Sequence, residues 1–297
     1  MPSPDFSDAA LLLVGHGSTR NADSASPTGQ HADELRRRRI FGQVLECFLQ
    51  QEPLLATVRR GVSAPRIFVV PLFISEGYFT EQIIPRKLDL DCNDGHGSPR
   101  RQQRGGQTLH YCRPVGIHPG MTEVVLARAR EVVEQHPFPR APKPADSALF
   151  IAGHGTGSDE NSRKSVENQA RLIAAQSDYA EVHAVFIEEE PRVGDCYKLA
   201  KARNLVMVPF FISDGLHANE DIPVLLGEPG PVVRERLRLG QPTWRNPTEK
   251  HGKRLWYASS VGTDPRIADI ILERVKEAVQ PTPVSSAVVA SSKSTRK

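Results

Sequence analysis

The chain has 297 residues, of which 39% are hydrophobic and 25% are charged, and its formal net charge at pH 7 is +3. This length suits two domains of ordinary size, and the composition is typical of a folded globular protein. The small net charge gives no reason to expect a nucleic-acid partner, and no stretch is apolar for long enough to span a bilayer.

The N-terminal sequence and the cysteines predict a cytoplasmic protein. "MPSPDFSDAALLLVGHG" enters a strand-like segment directly, without the basic flank and cleavage site of a secretory signal. The cysteines are far apart and none forms a CxxC pair: Cys47, Cys92, Cys112 and Cys196. We therefore expect free thiols, no iron–sulfur cluster, no structural zinc and no organic cofactor.

The chain contains one sequence unit twice. Three anchors recur in order at a constant separation of 138 residues, namely His16 with His154, Pro53 with Pro191, and Pro71 with Pro209. A fourth match pairs Gly116 with Gly262, which are 146 residues apart, so eight extra residues lie late in the second copy. Four matches in the same order indicate an internal duplication.

The composition between and after the copies predicts the domain boundaries. "HPFPRAPKPADS" (136–147) is rich in proline and poor in apolar residues, as linkers are. We predict a first domain at residues 1–141, a second at 142–280 and a disordered tail at 281–297. The segment "DCNDGHGSPRRQQRGGQ" (91–107) is predicted to be an exposed loop.

Within each copy, short apolar runs alternate with amphipathic helical patterns. In the second copy the predicted strands cover 148–153, 179–188 and 205–213, and the predicted helices cover 162–176, 192–203 and 265–279. This alternation predicts an α/β fold with two tandem, doubly wound parallel-sheet domains. Such sheets bind ligands beyond the carboxyl ends of their strands.

Three strand ends of the second copy carry ionisable side chains. His154 follows "LFIAG", Glu188 follows "VFI", and His217 follows "FFISDGL". Because parallel strands end at one edge of a sheet, we expect these side chains to meet in one cleft. Two imidazoles and a carboxylate suit a borderline divalent metal, and imidazoles also act as bases near neutral pH.

The first copy lacks most of these groups. At positions 138 residues earlier, His154 corresponds to His16, Glu188 to Gln50, His217 to Phe79, and Asp221 to Ile83. Three of the four ionisable groups are therefore neutral in the first copy, although the surrounding scaffold is kept. We interpret the first copy as a degenerate repeat and the second as the one that carries the site.

Each motif also has a purely structural interpretation. GHG after a strand can exist for the turn alone, because glycine permits a tight backbone, and this interpretation is favoured for His16. Alone, "FIEEEP" is typical of a solvated acidic turn, and "GLHANE" of a capping loop in which Asp221 bonds locally. Two observations together favour a functional site. Ionisable side chains follow three strands of the second copy, and the first copy keeps only one of them, a histidine.

These motifs resemble those of the class II tetrapyrrole chelatases, and most closely the sirohydrochlorin cobaltochelatase and ferrochelatase group. The resembling segments are "LFIAGHGT", "VFIEEEP", "VPFFISDGLHANEDIP" and "VGTDPRIADIILERV". The resemblance implies two similar α/β domains facing a central cleft. It also implies insertion of Co²⁺, Fe²⁺ or, in some members, Ni²⁺ into a tetrapyrrole without ATP, in cobalamin or sirohaem biosynthesis.

The resemblance also implies roles for single residues. His154 and His217 match the family's paired histidines, and Glu188 matches their acidic partner, as catalytic residues and as ligands of the metal. Some two-domain members keep the pair in the first half, whereas only His16 survives there in this chain.

Metal insertion releases two pyrrole protons, so it needs loose metal ligands that also serve as bases, which suits histidine. Basic residues could pair with substrate carboxylates, and the candidates are Arg20, Arg163 and Lys164. Charges on a helix face explain Arg163 and Lys164 equally well. Asp221 and His16 complete the candidate substrate-binding residues.

Two other classes of function stay open. One is a non-catalytic tetrapyrrole or metal carrier on the same fold, and the other is a two-domain sensor of a small anion. The joint presence of His154, Glu188 and His217 favours the enzyme, and the acidic "EEEP" and "ANED" segments disfavour an anion site there. The metal and the pathway are left open. We expect a monomer or homodimer that binds neither nucleic acid nor a membrane.

Overall fold

The computed structural model of the protein describes residues 4–18, 24–91, 100–155 and 160–280. The first half consists of β1 (Phe6–Gly15), α1 (Ser26–Arg38), β2 (Phe41–Phe48), α2 (Leu55–Gly61), β3 (Arg66–Pro71), α3 (Ile84–Lys87), β4 (Arg101–Arg104), β5 (Gln107–Tyr111) and α4 (Met121–Gln135). The second half consists of β6 (Ser147–Gly153), α5 (Glu160–Gln176), β7 (Glu181–Phe186), α6 (Cys196–Leu199), β8 (Asn204–Pro209), α7 (Ile222–Leu225), α8 (Gly230–Arg238), β9 (Thr248–Lys250), β10 (Lys253–Tyr257) and α9 (Ile267–Val279).

Each half builds a five-stranded sheet, and the two sheets have the same topology. The strand orders are β2-β1-β3-β5-β4 and β7-β6-β8-β10-β9. In each sheet four strands are parallel, and the edge strand β4 or β9 is antiparallel to its neighbour. The predicted α/β fold of two tandem, mainly parallel sheets is thereby confirmed, with an antiparallel edge added to each.

The prediction of an exposed loop over 91–107 was wrong for its last part. Arg101–Arg104 forms β4, which pairs with β5 as a hairpin. The turn consists of Gly105 and Gly106, with φ of +56° and +78°. Two successive residues at positive φ match the twist of the flanking strands, and glycine adopts them without strain.

Two helices of the second half also differ from the prediction. Only α6, after a 3₁₀ turn at Val193–Asp195, is helical within 192–203. The Glu181 carboxylate accepts hydrogen bonds from the backbone N–H groups of Lys201 (2.8 Å) and Ala202 (2.7 Å), which direct the chain into β8. The unpredicted helix α8 lies between α7 and β9, where the offset between the copies rises from 138 to 146.

The last helix of each half packs on the sheet of the other half. Helix α4 contacts β8 and β10, and α9 contacts β3 and β5. One hydrophobic cluster therefore unites both halves, with Phe68 of β3 and Ile271 of α9 among its fully buried members. Because the core is shared, the domain division at 141 and 142 stays a prediction, and the predicted tail at 281–297 lies outside the described residues.

The described cysteines are buried free thiols, namely Cys47, Cys112 and Cys196. Burial raises the pKa of each of them to about 12, so these thiols stay protonated at neutral pH. Cys92 lies outside the described residues. Across the described ranges, the helices are too short or too polar to cross a membrane.

Candidate functional site

The turn after β6 places His154 against the neighbouring strand. Gly155 has φ of +65°, and a Cβ there would come within 2.8 Å of the Phe186 side chain, so the turn requires glycine. The His154 carbonyl oxygen accepts hydrogen bonds from the N–H groups of Ile187 and Glu188, both at 3.1 Å. In the GHG motif, the second glycine is therefore required for the turn. The backbone of His154 is hydrogen-bonded to the segment that carries Glu188.

His217 lies at the start of a π-helical turn, His217–Asp221, that continues into α7. Such turns are frequent at functional sites. Within the turn, His217 Nδ1 and Asp221 Oδ2 are 2.6 Å apart. When Nδ1–H donates to this carboxylate, Nε2 keeps its lone pair for a metal ion or a proton.

The structure brings the two histidines side by side. Their ring centroids are 4.7 Å apart and their planes cross at 87°. His154 Nε2 lies 3.9 Å from Glu188 Oε1, and the side chains of Glu188 and His217 are 56% and 49% exposed. No three His, Cys, Asp or Glu side chains in the described ranges are arranged to hold a metal ion. The preformed part of the site is thus an open imidazole pair bordered by a carboxylate.

The surroundings of His154 favour its neutral form. Burial lowers the pKa of His154 below its ordinary value, and a charge on His217 lowers it further. Glu188, the Gly155 backbone and Asp221 act in the opposite direction. The buried Nδ1 of His154 has no hydrogen-bond partner among the described residues. A neutral ring can bind a metal ion or accept a proton.

The first half repeats this arrangement with a phenyl ring in place of the second imidazole. His16 and Phe79 have ring centroids 4.8 Å apart and planes crossing at 85°. Phe79 lies at the start of the π-helical turn Phe79–Ile83, and Phe73 also packs near His16. His16 Nδ1 lies 2.8 Å from the Gly17 carbonyl oxygen. His16 is therefore a single imidazole bordered by aromatic rings.

The described substrate-binding candidates with a positive charge are already held in ion pairs. Arg163 pairs with Glu167 at 2.8 Å and with Glu189 at 3.0 Å, and it lies over the Phe186 ring. Lys164 pairs with Glu160 at 2.6 Å. These contacts favour the helix-face interpretation of both charges. Arg20 lies outside the described residues.

Sequence reasoning missed Asp214, which fixes the segment before His217. Its carboxylate accepts a hydrogen bond from the Ser260 N–H (2.7 Å) and lies 3.2 Å from the Thr263 hydroxyl. Its carbonyl oxygen accepts a hydrogen bond from the Asn219 side chain. The sequence did contain a signal for Asp214: both copies have an acidic residue at this position, because Glu76 lies 138 residues earlier.

Exposed apolar side chains precede both π-helical turns. Leu216 is 57% exposed and Tyr78, its counterpart in the first half, is 56% exposed. Large apolar side chains with this exposure offer contact area to a flat apolar ligand. Neither residue was a predicted site residue, because neither carries a group that ionises near neutral pH.

Comparison with known proteins gives two matches to one family and several relatives. The CbiX family matches residues 10–132 and again 148–278. A protein of Halobacterium salinarum named "Probable sirohydrochlorin cobaltochelatase" is 39% identical over 297 residues, which cover 97% of both chains. A sirohydrochlorin cobaltochelatase of Methanopyrus kandleri is 32% identical over 140 residues, covering 44% of this chain and 96% of its own.

A solved structure supports the fold. A multi-domain protein of Deinococcus radiodurans, described as structurally similar to chelatases, superimposes with a TM-score of 0.70 at 30% identity. The match covers 91% of this chain and 54% of that one, so this chain spans about half the length of the Deinococcus protein.

Proposed function

Because the chain belongs to the CbiX family, we propose that it is a metal chelatase that inserts Co²⁺ or Fe²⁺ into sirohydrochlorin or a related tetrapyrrole without ATP. The family resemblance inferred from the motifs is confirmed by the two matches and by the relative that covers almost the whole chain. The observation that carries the proposed activity is the pair of imidazoles at His154 and His217, next to Glu188.

An open imidazole pair suits a metal that must leave again. Structural metal sites are closed by four protein ligands, whereas sites for exchange or catalysis keep open positions. Here two imidazoles are in place, and Glu188 is 56% exposed at their border. Such a site would hold the substrate metal loosely and present it to the tetrapyrrole.

The same nitrogens can take up the protons that the metal displaces. Insertion exchanges one divalent ion for two pyrrole N–H protons. As bonds from the metal to the pyrrole nitrogens replace those to Nε2 of His154 and His217, each freed imidazole becomes a base. Glu188 offsets the positive charge and can pass a proton to solvent. Asp221 holds His217 in the tautomer whose Nε2 is free.

The test of this function follows the absorption spectrum of sirohydrochlorin with Co²⁺ or Fe²⁺ and purified protein. His217→Phe copies the residue of the first half, so it removes one base and ligand while the ring packing is kept. We expect its metallation rate to fall by roughly 100-fold or more, the usual contribution of a general base or acid. The control variant His16→Ala should lose less than about threefold, because His16 lacks a second ligand.

Several outcomes would contradict the proposal. No acceleration over spontaneous metallation would exclude the enzyme, and stoichiometric binding without turnover would indicate a carrier. Equal losses in both variants would mean that both halves contribute chemistry. Parallel assays with Co²⁺ and Fe²⁺ decide the metal, which the donor atoms do not, since imidazole and carboxylate accept both.

A further inference from the structure

An arginine-lined cavity lies between the first sheet and α9. Its volume is about 670 Å³, and its lining includes Arg66, Arg100, Arg101, Arg113 and Arg274. Strands β4 and β5 form one wall and the last turn of α9 forms the other, so both halves of the chain build it. It shares no lining residue with the imidazole pair. Among the described lining residues, Glu277 is the only acid.

The arginines of this cavity are not fully neutralised. The ion pairs of the lining are Arg66 with Asp8, Arg100 with Glu81 and Glu76, Arg113 with Glu76, and Arg274 with Glu277. In the described part of the chain, no acidic side chain pairs with Arg101. The resulting field reaches His110, whose pKa is lowered first by burial and also by Arg101 and Arg66, against the effect of its bond to Ala278.

Arg274 is the most constrained of these arginines. It is 3% exposed, its Nε donates to the Pro114 carbonyl oxygen at 3.1 Å, and its Nη1 donates to Glu277 at 2.6 Å. Its Nη2 is buried and has no hydrogen-bond partner among the described residues. A buried charged donor without an acceptor is costly, and buried polar groups are nearly always paired. Arg274 therefore lines the cavity with a buried guanidinium whose hydrogen-bonding capacity is only partly used.

The corresponding region of the second half shows which of these cavity residues the shared fold requires. The counterpart space is divided into a cavity of about 180 Å³ against α4 and a neighbouring one of about 340 Å³, which share Asn246 and Ser259. Arg274 corresponds to Arg128 there, while Arg66, Arg100, Arg101 and Arg113 correspond to Asn204, Asn246, Pro247 and Ser259. His110 corresponds to Trp256, a larger side chain that is fully buried. Four arginines are thus particular to the first half.

The counterpart arginine faces more carboxylates, although its buried Nε likewise has no hydrogen-bond partner among the described residues. Arg128 lies 3.3 Å from the buried carboxylate of Asp264 and 3.4 Å from Glu131. At the position of Asp264 the first half has His118, so Arg274 lacks the equivalent carboxylate. Surface ion pairing accounts for Arg100 and Arg113. It does not account for Arg101 or for the size of the cavity.

We propose that this cavity binds a small anion with two or more carboxylate or phosphate groups. The guanidinium fork matches carboxylate and phosphate oxygens in bidentate geometry, and several forks around one cavity suit a ligand with several anionic groups. The volume lies in the range of small-ligand sites. An anion there would lie beside the Arg274 guanidinium, whose only acidic partner is Glu277 among the described residues. Its source is either a free polyanion or the carboxylates of a tetrapyrrole.

The test is calorimetric titration of the full chain with pyrophosphate, with citrate and, separately, with sirohydrochlorin. We expect saturable binding of at least one probe that weakens as sodium chloride is added, because the attraction is electrostatic. The double variant Arg100→Asn/Arg113→Ser installs the residues of the second half, so the fold is expected to accept them. It should weaken binding by about tenfold or more, since it removes two charge-assisted contacts.

Two controls separate this site from the metal site. Arg37→Gln removes an exposed arginine on α1, outside the cavity, and should leave the affinity unchanged. His217→Phe should bind pyrophosphate or citrate like the unmodified chain, whether or not the chain is a chelatase. Loss of sirohydrochlorin binding alone in the double variant would identify the tetrapyrrole carboxylates as the source. No saturable binding at millimolar probe, or equal binding by the double variant, would overturn the proposal.

Discussion

His217 and Phe79 occupy the same place in the two copies, and each packs edge-to-face on the histidine of a GHG turn. The centroid distances are 4.7 Å and 4.8 Å, so the packing is kept while the ring chemistry changes. A phenyl ring fills the space of an imidazole but has neither a lone pair nor a titratable nitrogen. The fold therefore does not need a histidine at this place, and His217 is present for another reason.

The Glu188 carboxylate should control the protonation of His154. It lies 3.9 Å from His154 Nε2 and raises the pKa of that ring, against burial and His217, which lower it. Glu188→Gln should therefore lower the pKa of His154 further, and the acid limb of the metallation rate should move to lower pH. NMR titration of the His154 ring measures the first effect directly.

The matched control for this variant is Glu190→Gln, which removes an exposed carboxylate from the same acidic segment. It should leave the His154 titration unchanged. A higher pKa of His154 in Glu188→Gln would show that the carboxylate does not stabilise the charged ring.

At the same scale, the sequence predicted which residues meet but not how they are held. The strand ends of a parallel sheet are sufficient to bring His154, Glu188 and His217 together. The hydrogen bond between Asp221 and His217 depends on the π-helical turn, and no sequence pattern predicts such a turn. Comparison of the two copies still identified Asp221 as a candidate, because the first copy has Ile83 at that position.

Among the elements, two glycines fix the loops that lead to the π-helical turns. A Cβ on Gly262 would lie 2.1 Å from the Ile212 carbonyl oxygen, and one on Gly116 would lie 2.2 Å from that of Ile74. The Gly262 N–H also donates to the Phe211 carbonyl oxygen at 2.9 Å. Only glycine permits this approach, so the segment after β10 sets the position of the loop before His217.

Gly262→Ala should disturb both the fold and the metal site. Relief of a contact with backbone atoms requires the loop to move, and overpacking of this kind costs about 1–3 kcal/mol. We expect a lower free energy of unfolding in urea together with slower metallation. Gly116→Ala should destabilise the protein similarly but slow metallation less, because its loop leads to Phe79.

Gly61→Ala is the control for this comparison, since a Cβ there would meet nothing within 4 Å. Unfolding of Gly262→Ala at the same urea concentration as Gly61→Ala would show that the loop adapts freely.

The two edge strands were missed by sequence reasoning for the same reason. The edge strands β4 and β9 read "RQQR" and "TEK", without the apolar alternation that identifies a strand. The paired glycines at 105 and 106 were the usable hairpin signal. Short polar edges are held by a neighbouring strand, so their own side chains carry little information about them.

At the scale of the whole molecule, two buried histidines and a partly buried one join the two halves. His31 Nε2 lies 2.7 Å from the Gly262 carbonyl oxygen, His110 Nδ1 lies 3.2 Å from that of Ala278, and His118 Nε2 lies 3.5 Å from Glu277 Oε1. Burial is the main cause that lowers the pKa of each of these rings. The contacts between the halves are therefore made by rings that resist protonation.

Acid should weaken the protein through these rings. A histidine whose pKa is lower in the folded chain than in the unfolded chain binds fewer protons when folded, so stability is lost as pH falls below the unfolded value of about 6.5. Urea unfolding between about pH 7.5 and about pH 5.5 should show a falling free energy of unfolding. His31→Gln, which keeps a donor for the Gly262 carbonyl, should flatten this dependence. A constant or rising stability would contradict the expectation.

The exchange of α4 and α9 between the halves has a consequence for symmetry. A chain with one copy would leave the part of its sheet that the exchanged helix covers exposed until it met a second chain, at a rate set by concentration. In the fused chain the partner is always present, at an effective concentration on the order of millimolar. Two identical chains must also present identical surfaces to each other. The duplicated chain is free of that constraint, so one copy can keep imidazoles while the other accumulates arginines.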